Sequence, residues 1–190
     1  MSPMSDEIVT LSARASLAEA VREIERHVAT GGWDGPVRVF ALVRTAQALE
    51  VEPGLADQLP PHVLAIADRN PYHLTSIEQE GLPPANDLEE LLAALSWPEG
   101  VDGAAVTVER VVLPPAAEEN LPADPDEALA YLAAHPDRQD VRIAVGVLRD
   151  GTSWCAVRTR SNDSDDAVGQ GATLVPGLVE ADQAPLRSDE

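Results

Sequence analysis

The stretch from Val141 to Arg160 constrains this chain most. Two apolar runs, Val141 to Leu148 and Thr152 to Arg160, flank an Asp150-Gly151 pair. Alternating apolar residues on both sides of Asp-Gly specify a β-hairpin. Its register then decides which side chains share a face. A two-residue type I′ loop would pair Val147 with Trp154 and Ile143 with Arg158, mixing charge and apolar surface on both faces. A three-residue loop, Arg149-Asp150-Gly151, puts Gly151 in the left-handed region and pairs Leu148 with Thr152, Gly146 with Trp154 and Arg142 with Arg158. This second register gathers Val141, Ile143, Val145, Val147, Cys155, Val157 and Thr159 on one face. The other face carries Arg142, Ala144, Gly146, Leu148, Trp154, Ala156, Arg158 and Arg160. It is the expected register, because a one-residue slip would forfeit burial of the valine face. Trp154 is expected to lie across Gly146 and fill the space that the glycine leaves.

Upstream, Ser16 and Glu19 form an S-x-x-E capping box. Leu17, Val21, Ile24 and Val28 follow on one helical face, and Gly31-Gly32 stops the helix. The box could also be internal to a helix beginning near Thr10. Val37 to Val43 reads as a strand buried on both faces. Thr45 can cap a short helix to Leu49, and Pro53, Pro60 and Pro61 break the chain into turns. Val63 to Ala67 is open between helix and strand. Tyr72 to Glu80 and Ala104 to Leu113 read as strands. Leu88 to Ser96 reads as a helix capped by Asn86 or Asp87 and ended at Pro98. Pro114 to Pro122 reads as a linker. Asp124-Pro125-Asp126-Glu127 opens a further helix, with Asp124 as cap, ended by His135-Pro136. Thr173 to Val179 could form a short docking helix. The expected organisation is a tail at 1–15, one domain at 16–180 and a disordered acidic tail at 181–190.

The charge is lopsided: 33 acids oppose 13 bases for a net of −20, and every base is arginine. Such a chain repels phosphates and anionic lipid, so no nucleic acid and no membrane is expected as partner. The apolar runs Val39 to Val43 and Leu91 to Leu95 are too short to span a bilayer. The first residues lack the basic and apolar regions of a signal peptide. A single cysteine, Cys155, fits a reducing compartment. A cytoplasmic, soluble monomer or homodimer is the expectation.

Cations concentrate on the hairpin. Residues 138–160 hold five arginines and two aspartates, whereas residues 77–130 hold 13 acids and one arginine. Arg142, Arg158 and Arg160 would share the hairpin face with Trp154. Either an acidic helix of the same chain neutralises them, or they bind an anionic ligand or acidic peptide with Trp154 as apolar wall. The first is preferred, since ion pairs within a chain are common.

Without lysine, neither a phosphate-loop lysine nor a Schiff-base lysine is available. No H-E-x-x-H, C-x-x-C or G-x-S-x-G occurs. Gly169-Gln170-Gly171 lacks the third glycine of a dinucleotide fingerprint, Leu174 standing in its place. His27, His62, His73 and His135 are scattered, and Cys155 reads as a small core thiol rather than a nucleophile. Asp163, Asp165 and Asp166 fail the calcium-loop pattern, so a solvated acidic loop is expected. No cofactor and no metal is expected, and no catalytic residue can be named.

The stretches LAAHPDRQDVRIAVGVLRDGTSWCAVR (132–158), VFALVRTA (39–46), LTSIEQE (74–80) and LSWP (95–98) resemble an uncharacterised family of proteins from high-GC actinobacteria. The resemblance spans nearly the whole chain outside its tails. It implies a cytoplasmic bacterial origin and one domain, and carries over no activity, cofactor or site residue.

The expected fold is α+β, a mostly antiparallel sheet of about five or six strands with helices on one side. The expected function is that of a non-enzymatic interaction protein, an adaptor or small chaperone working on another protein through its sheet or a helix face. The rival is an enzyme or small-anion-binding protein using Arg142, Trp154, Arg158 and Arg160.

Overall fold

In a computed structural model, residues 3–82, 97, 100–113 and 115–171 are described. The Leu88–Ser96 and Thr173–Val179 helices and the tail at 181–190 lie outside them.

The fold is α+β, a six-stranded antiparallel sheet with helices. Helix α1 (Pro3–Ala29) comes first, then β1 (Arg38–Arg44), α2 (Thr45–Val51), α3 (Pro61–Arg69) and β2 (Leu74–Glu78). After β3 (Gly103–Val112) come α4 (Pro115–Glu118) and α5 (Pro125–Ala134). The chain then forms β4 (Gln139–Leu148), β5 (Ser153–Thr159) and a three-residue β6 (Gly169–Gly171). The strands lie in the order β2-β1-β3-β4-β5-β6.

The hairpin adopts the three-residue loop. Gly146 faces Trp154 and Arg142 faces Arg158. Gly151 has φ +95°, and Thr152 N–H donates to Asp150 Oδ1. Val141, Ile143, Val145, Val147 and Cys155 are buried together on one sheet face with Val39, Ala104, Val106 and Val108. Leu82 and Trp97 pack against that face. The opposite face is small at its centre, with Ala105, Ala144 and Ala156, and it receives Leu17, Ala20, Val21, Ile24 and Val28 of α1.

Gly146 belongs to this small-residue centre. A Cβ there would come within 2.6 Å of Val21 Cγ2 and 3.0 Å of Leu17 Cδ1. The space at Gly146 is thus used by α1, and not by Trp154 as expected. Trp154 instead donates from Nε1 to Gln170 on β6.

Three other expectations are corrected and one open reading is resolved. The Ser16 box is internal to α1, which begins at Pro3, so residues 3–15 are helical rather than a tail. Ser16 is buried, and its hydroxyl accepts from Asn70 Nδ2. Thr45 does not cap; its buried hydroxyl bonds His73 Nδ1 at 2.9 Å and Thr75 Oγ1 at 2.7 Å. The Pro114–Pro122 linker contains α4, whose Ala117 is buried. The open segment at 63–67 is helical and lies in α3, with Pro61 in its first turn.

β1 is buried on both faces through Val39, Phe40, Ala41 and Leu42, as its unbroken apolar run predicts. Asp124 caps α5 by accepting from the N–H groups of Asp126 and Glu127. Among the described residues no helix is long and apolar enough to cross a membrane.

Candidate functional site: the arginine end of the hairpin

Arg142, Arg158 and Arg160 follow from the register. β4 and β5 place Arg142 beside Arg158 on the face covered by α1. Like charges directly opposite repel, so each guanidinium needs its own compensation.

Arg158 has the fullest. It is 3% exposed and meets Glu25 of α1, itself 1% exposed, through two parallel hydrogen bonds. Its Nη1 also donates to Asp163 at 3.0 Å, and its Nη2 to Asp165. The Glu25 hydrogen bonds, with Asp165 and Asp163 behind them, raise the Arg158 pKa above its ordinary value. Three carboxylates around one buried cation satisfy the guanidinium as a fork of donors.

The two aspartates come from the turn after β5, which crosses back over the end of α1. They are therefore not simply a solvated loop, as the sequence suggested. The Trp33 indole N–H donates to Asp163 Oδ2 at 3.0 Å, and with Arg158 it lowers the Asp163 pKa. Arg158 likewise lowers that of Asp165.

Arg160 forms a bidentate pair with Asp34 at 3.0 and 3.2 Å, which raises its pKa. Asp34 sits at φ +66° in the turn that follows α1. Arg142 has no such pair. It is 2% exposed, lies 4.4 Å from the Trp33 ring centroid and donates from Nη2 to the Gly32 carbonyl.

The structure thus brings Arg142, Arg158 and Arg160 together and leaves Trp154 apart. Trp154 is four positions from Arg158 along β5, about 13 Å at strand rise. The aromatic wall is Trp33, whose centroid lies 4.4 Å from Arg142 and 5.7 Å from Arg160. The signal for it was present: a tryptophan directly after the Gly31-Gly32 helix stop, in a chain with three. Glu25 was hidden between the core positions Ile24 and Val28 of α1. The neutralising acids at ion-pair distance come from α1, from the turn that follows it and from the turn after β5, while Glu109 of the acid-rich stretch at 77–130 acts on Arg160 only through space.

Cys155 is buried beneath the valine face. Among the described residues no group of His, Cys, Asp or Glu is gathered as metal ligands. A groove of about 280 Å3 lies at the opposite end of the sheet. Its Arg44 is engaged by the Pro71 carbonyl and by the Tyr72 ring at 5.0 Å.

A family model described as PPA1309-like protein matches residues 17–187 of the chain. Nothing matches among curated proteins or among solved structures.

Proposed function

The chain belongs to the PPA1309-like protein family, and on that premise we propose that it is a non-enzymatic interaction protein of the actinobacterial cytoplasm. One observation carries this reading: among the described residues α5 is an apolar helix of which no side chain is fully buried, with Ala128, Tyr131 and Leu132 only half-buried. Its last seven residues, Ala128 to Ala134, are all apolar, yet none is buried. Leu129 is 65% exposed. A helix apolar all round is ordinarily found in a core.

The inner edge of α5 is held by Tyr131, whose hydroxyl donates to the Ala117 carbonyl at 3.1 Å. Leu129, Ala130, Ala133 and Ala134 stay exposed. The chain leaves α5 and enters β4 at Gln139, the partner of Val112. Five residues reach at most about 17 Å. Val111 and Val112, both exposed, therefore lie near the end of α5.

The partner this surface fits is an amphipathic helix with basic flanks. Alanines permit close approach of a second helix. Asp124, Asp126 and Glu127 place negative charge at the start of α5. A net charge of −20 works against a second copy of the chain and favours a cationic partner.

The test is a benzophenone cross-linker at position 133 in the native cytoplasm. A single adduct with another protein, lost in Leu129→Glu, is expected. The substitution itself should change stability by no more than about 0.5 kcal/mol, since surface changes are mild. No adduct, or an adduct only with the chain itself, would refute the reading.

A further inference from the structure

Arg142 is the odd member of the arginine group, and the way its neighbours are used makes it so. Arg158 has Glu25, Asp163 and Asp165; Arg160 has Asp34; Arg38 has Glu78. Among the described residues no carboxylate lies within ion-pair distance of Arg142, and its Nη1 has no hydrogen-bond partner although it is buried. Arginine stays charged at every ordinary pH.

Asp163 acts on Arg142 only through space, and Glu109 stands directly opposite Arg142 on β3. Glu109 is diverted. Its two oxygens accept from the backbone N–H groups of Asp34 and Gly35 at 2.9 and 2.8 Å. Two residues earlier on the same face stands Thr107, 2% exposed, whose hydroxyl also has no partner. Arg142 and Thr107 line the same cavity, about 120 Å3, between the turn after α1 and the sheet. Val28, Gly32, Arg38 and Glu109 line it as well.

We propose that this cavity binds a small monocarboxylate, held by the Arg142 guanidinium and the Thr107 hydroxyl once these donors, now closed off from the cavity, turn into it. Two donors match the two oxygens of one carboxylate. Arg142 offers the one positive charge on the lining without a carboxylate at ion-pair distance among the described residues, since Arg38 is engaged with Glu78. The Glu109 carboxylate on the wall opposes a dianion, so phosphate and sulfate are disfavoured. A space of about 120 Å3 admits a small acid. The apolar end of the acid would face Val28. The carboxylate could be a free acid or the side chain of an aspartate in a partner peptide; the chemistry of recognition is the same.

The test titrates acetate, formate and acetyl-aspartyl-amide into the protein at constant ionic strength set with chloride. Melting temperature and tryptophan fluorescence are read, the latter because Trp33 stacks on Arg142. A saturable response to acetate or formate is expected. Thr107→Val should fold and weaken it about tenfold or more, the value of a hydrogen bond to a charged group. Arg142→Gln should abolish it, and Thr107→Val keeps the test decisive if Arg142→Gln fails to fold. A response to acetyl-aspartyl-amide equal to or greater than that to acetate would assign the site to a protein side chain. No saturable response to any of the three would overturn the proposal. So would a response unchanged in Thr107→Val, or one matched by nitrate.

Discussion

Arg158 and Leu129 break the usual rule in opposite directions: one is a cation that is 3% exposed, the other a leucine that is 65% exposed. At the arginine end, charge lies inside and is matched by Glu25, Asp163 and Asp165. On α5, apolar surface lies outside and is matched by nothing among the described residues. The difference is one of position in the fold. β5 runs beneath α1, so its polar side chains must be solved within the chain. α5 leaves Leu129, Ala130, Ala133 and Ala134 exposed, the surface on which the proposed partner would sit. A buried ion pair is complete within the chain, whereas an exposed apolar helix marks an interaction surface.

The comparison breaks most easily at Glu25. Glu25→Ala removes the buried partner of Arg158 and should cost about 3 kcal/mol or more. Replacing both, Glu25→Leu with Arg158→Met, should recover most of that loss, because an apolar pair of similar volume often substitutes for a buried ion pair. Chemical denaturation of the two variants beside the wild type decides it. A mild Glu25→Ala would mean that Asp163 and Asp165 suffice alone.

Gly146→Val tests whether α1 needs its seat on the sheet. Val21 and Leu17 occupy the space a Cβ would enter. Overpacking should cost about 1–3 kcal/mol, read from the melting temperature. An unchanged value would show that α1 can ride away from the hairpin.

A smaller effect separates the two regions by pH. The Asp163 and Asp165 carboxyls titrate below their ordinary range because of Trp33 and Arg158. A depressed carboxylate contributes stability above its unfolded pKa of about 3.9. That contribution is lost as pH falls through the folded pKa. The arginine end should therefore weaken below about pH 4, with Trp33 fluorescence changing first. In Asp163→Asn the stability–pH curve should be flatter over that range. An identical curve would remove Asp163 from the linkage.

How much of this was legible in the sequence depends on the range of the interaction. The Arg142–Arg158 pairing was readable because Gly151 and the alternation of Val141, Ile143, Val145 and Val147 are local signals: turn chemistry fixes the register, and the register fixes the faces. The cap at Asp124 and the double burial of β1 were readable for the same reason. Glu25 was not, because its partner lies 133 residues away and nothing in α1 marks it. The helix start was misplaced because Ser16 answers to Asn70, across 54 residues, rather than to its own backbone. The hairpin face was visible, but whether Trp33 or Trp154 closes it depends on where the chain goes after Gly32.

The distance between Glu25 and Arg158 also has a consequence in time. α1 is made first, and its seat on β4 and β5 is made last. At about 5–20 residues per second of synthesis, the ribosome takes roughly 7 to 27 s to add the 133 residues between them. During that interval Leu17, Val21 and Ile24 have only the part of their seat that β1, β2 and β3 supply through Phe40, Leu42, Leu74 and Ala105, and lack Ala144 and Ala156. The nascent chain carries an apolar helix covered only in part, bearing one carboxylate that has yet to meet its cation. Completion of the hairpin is thus the event that withdraws α1 from the reach of chaperones, and chains truncated before Arg158 should be retained by them.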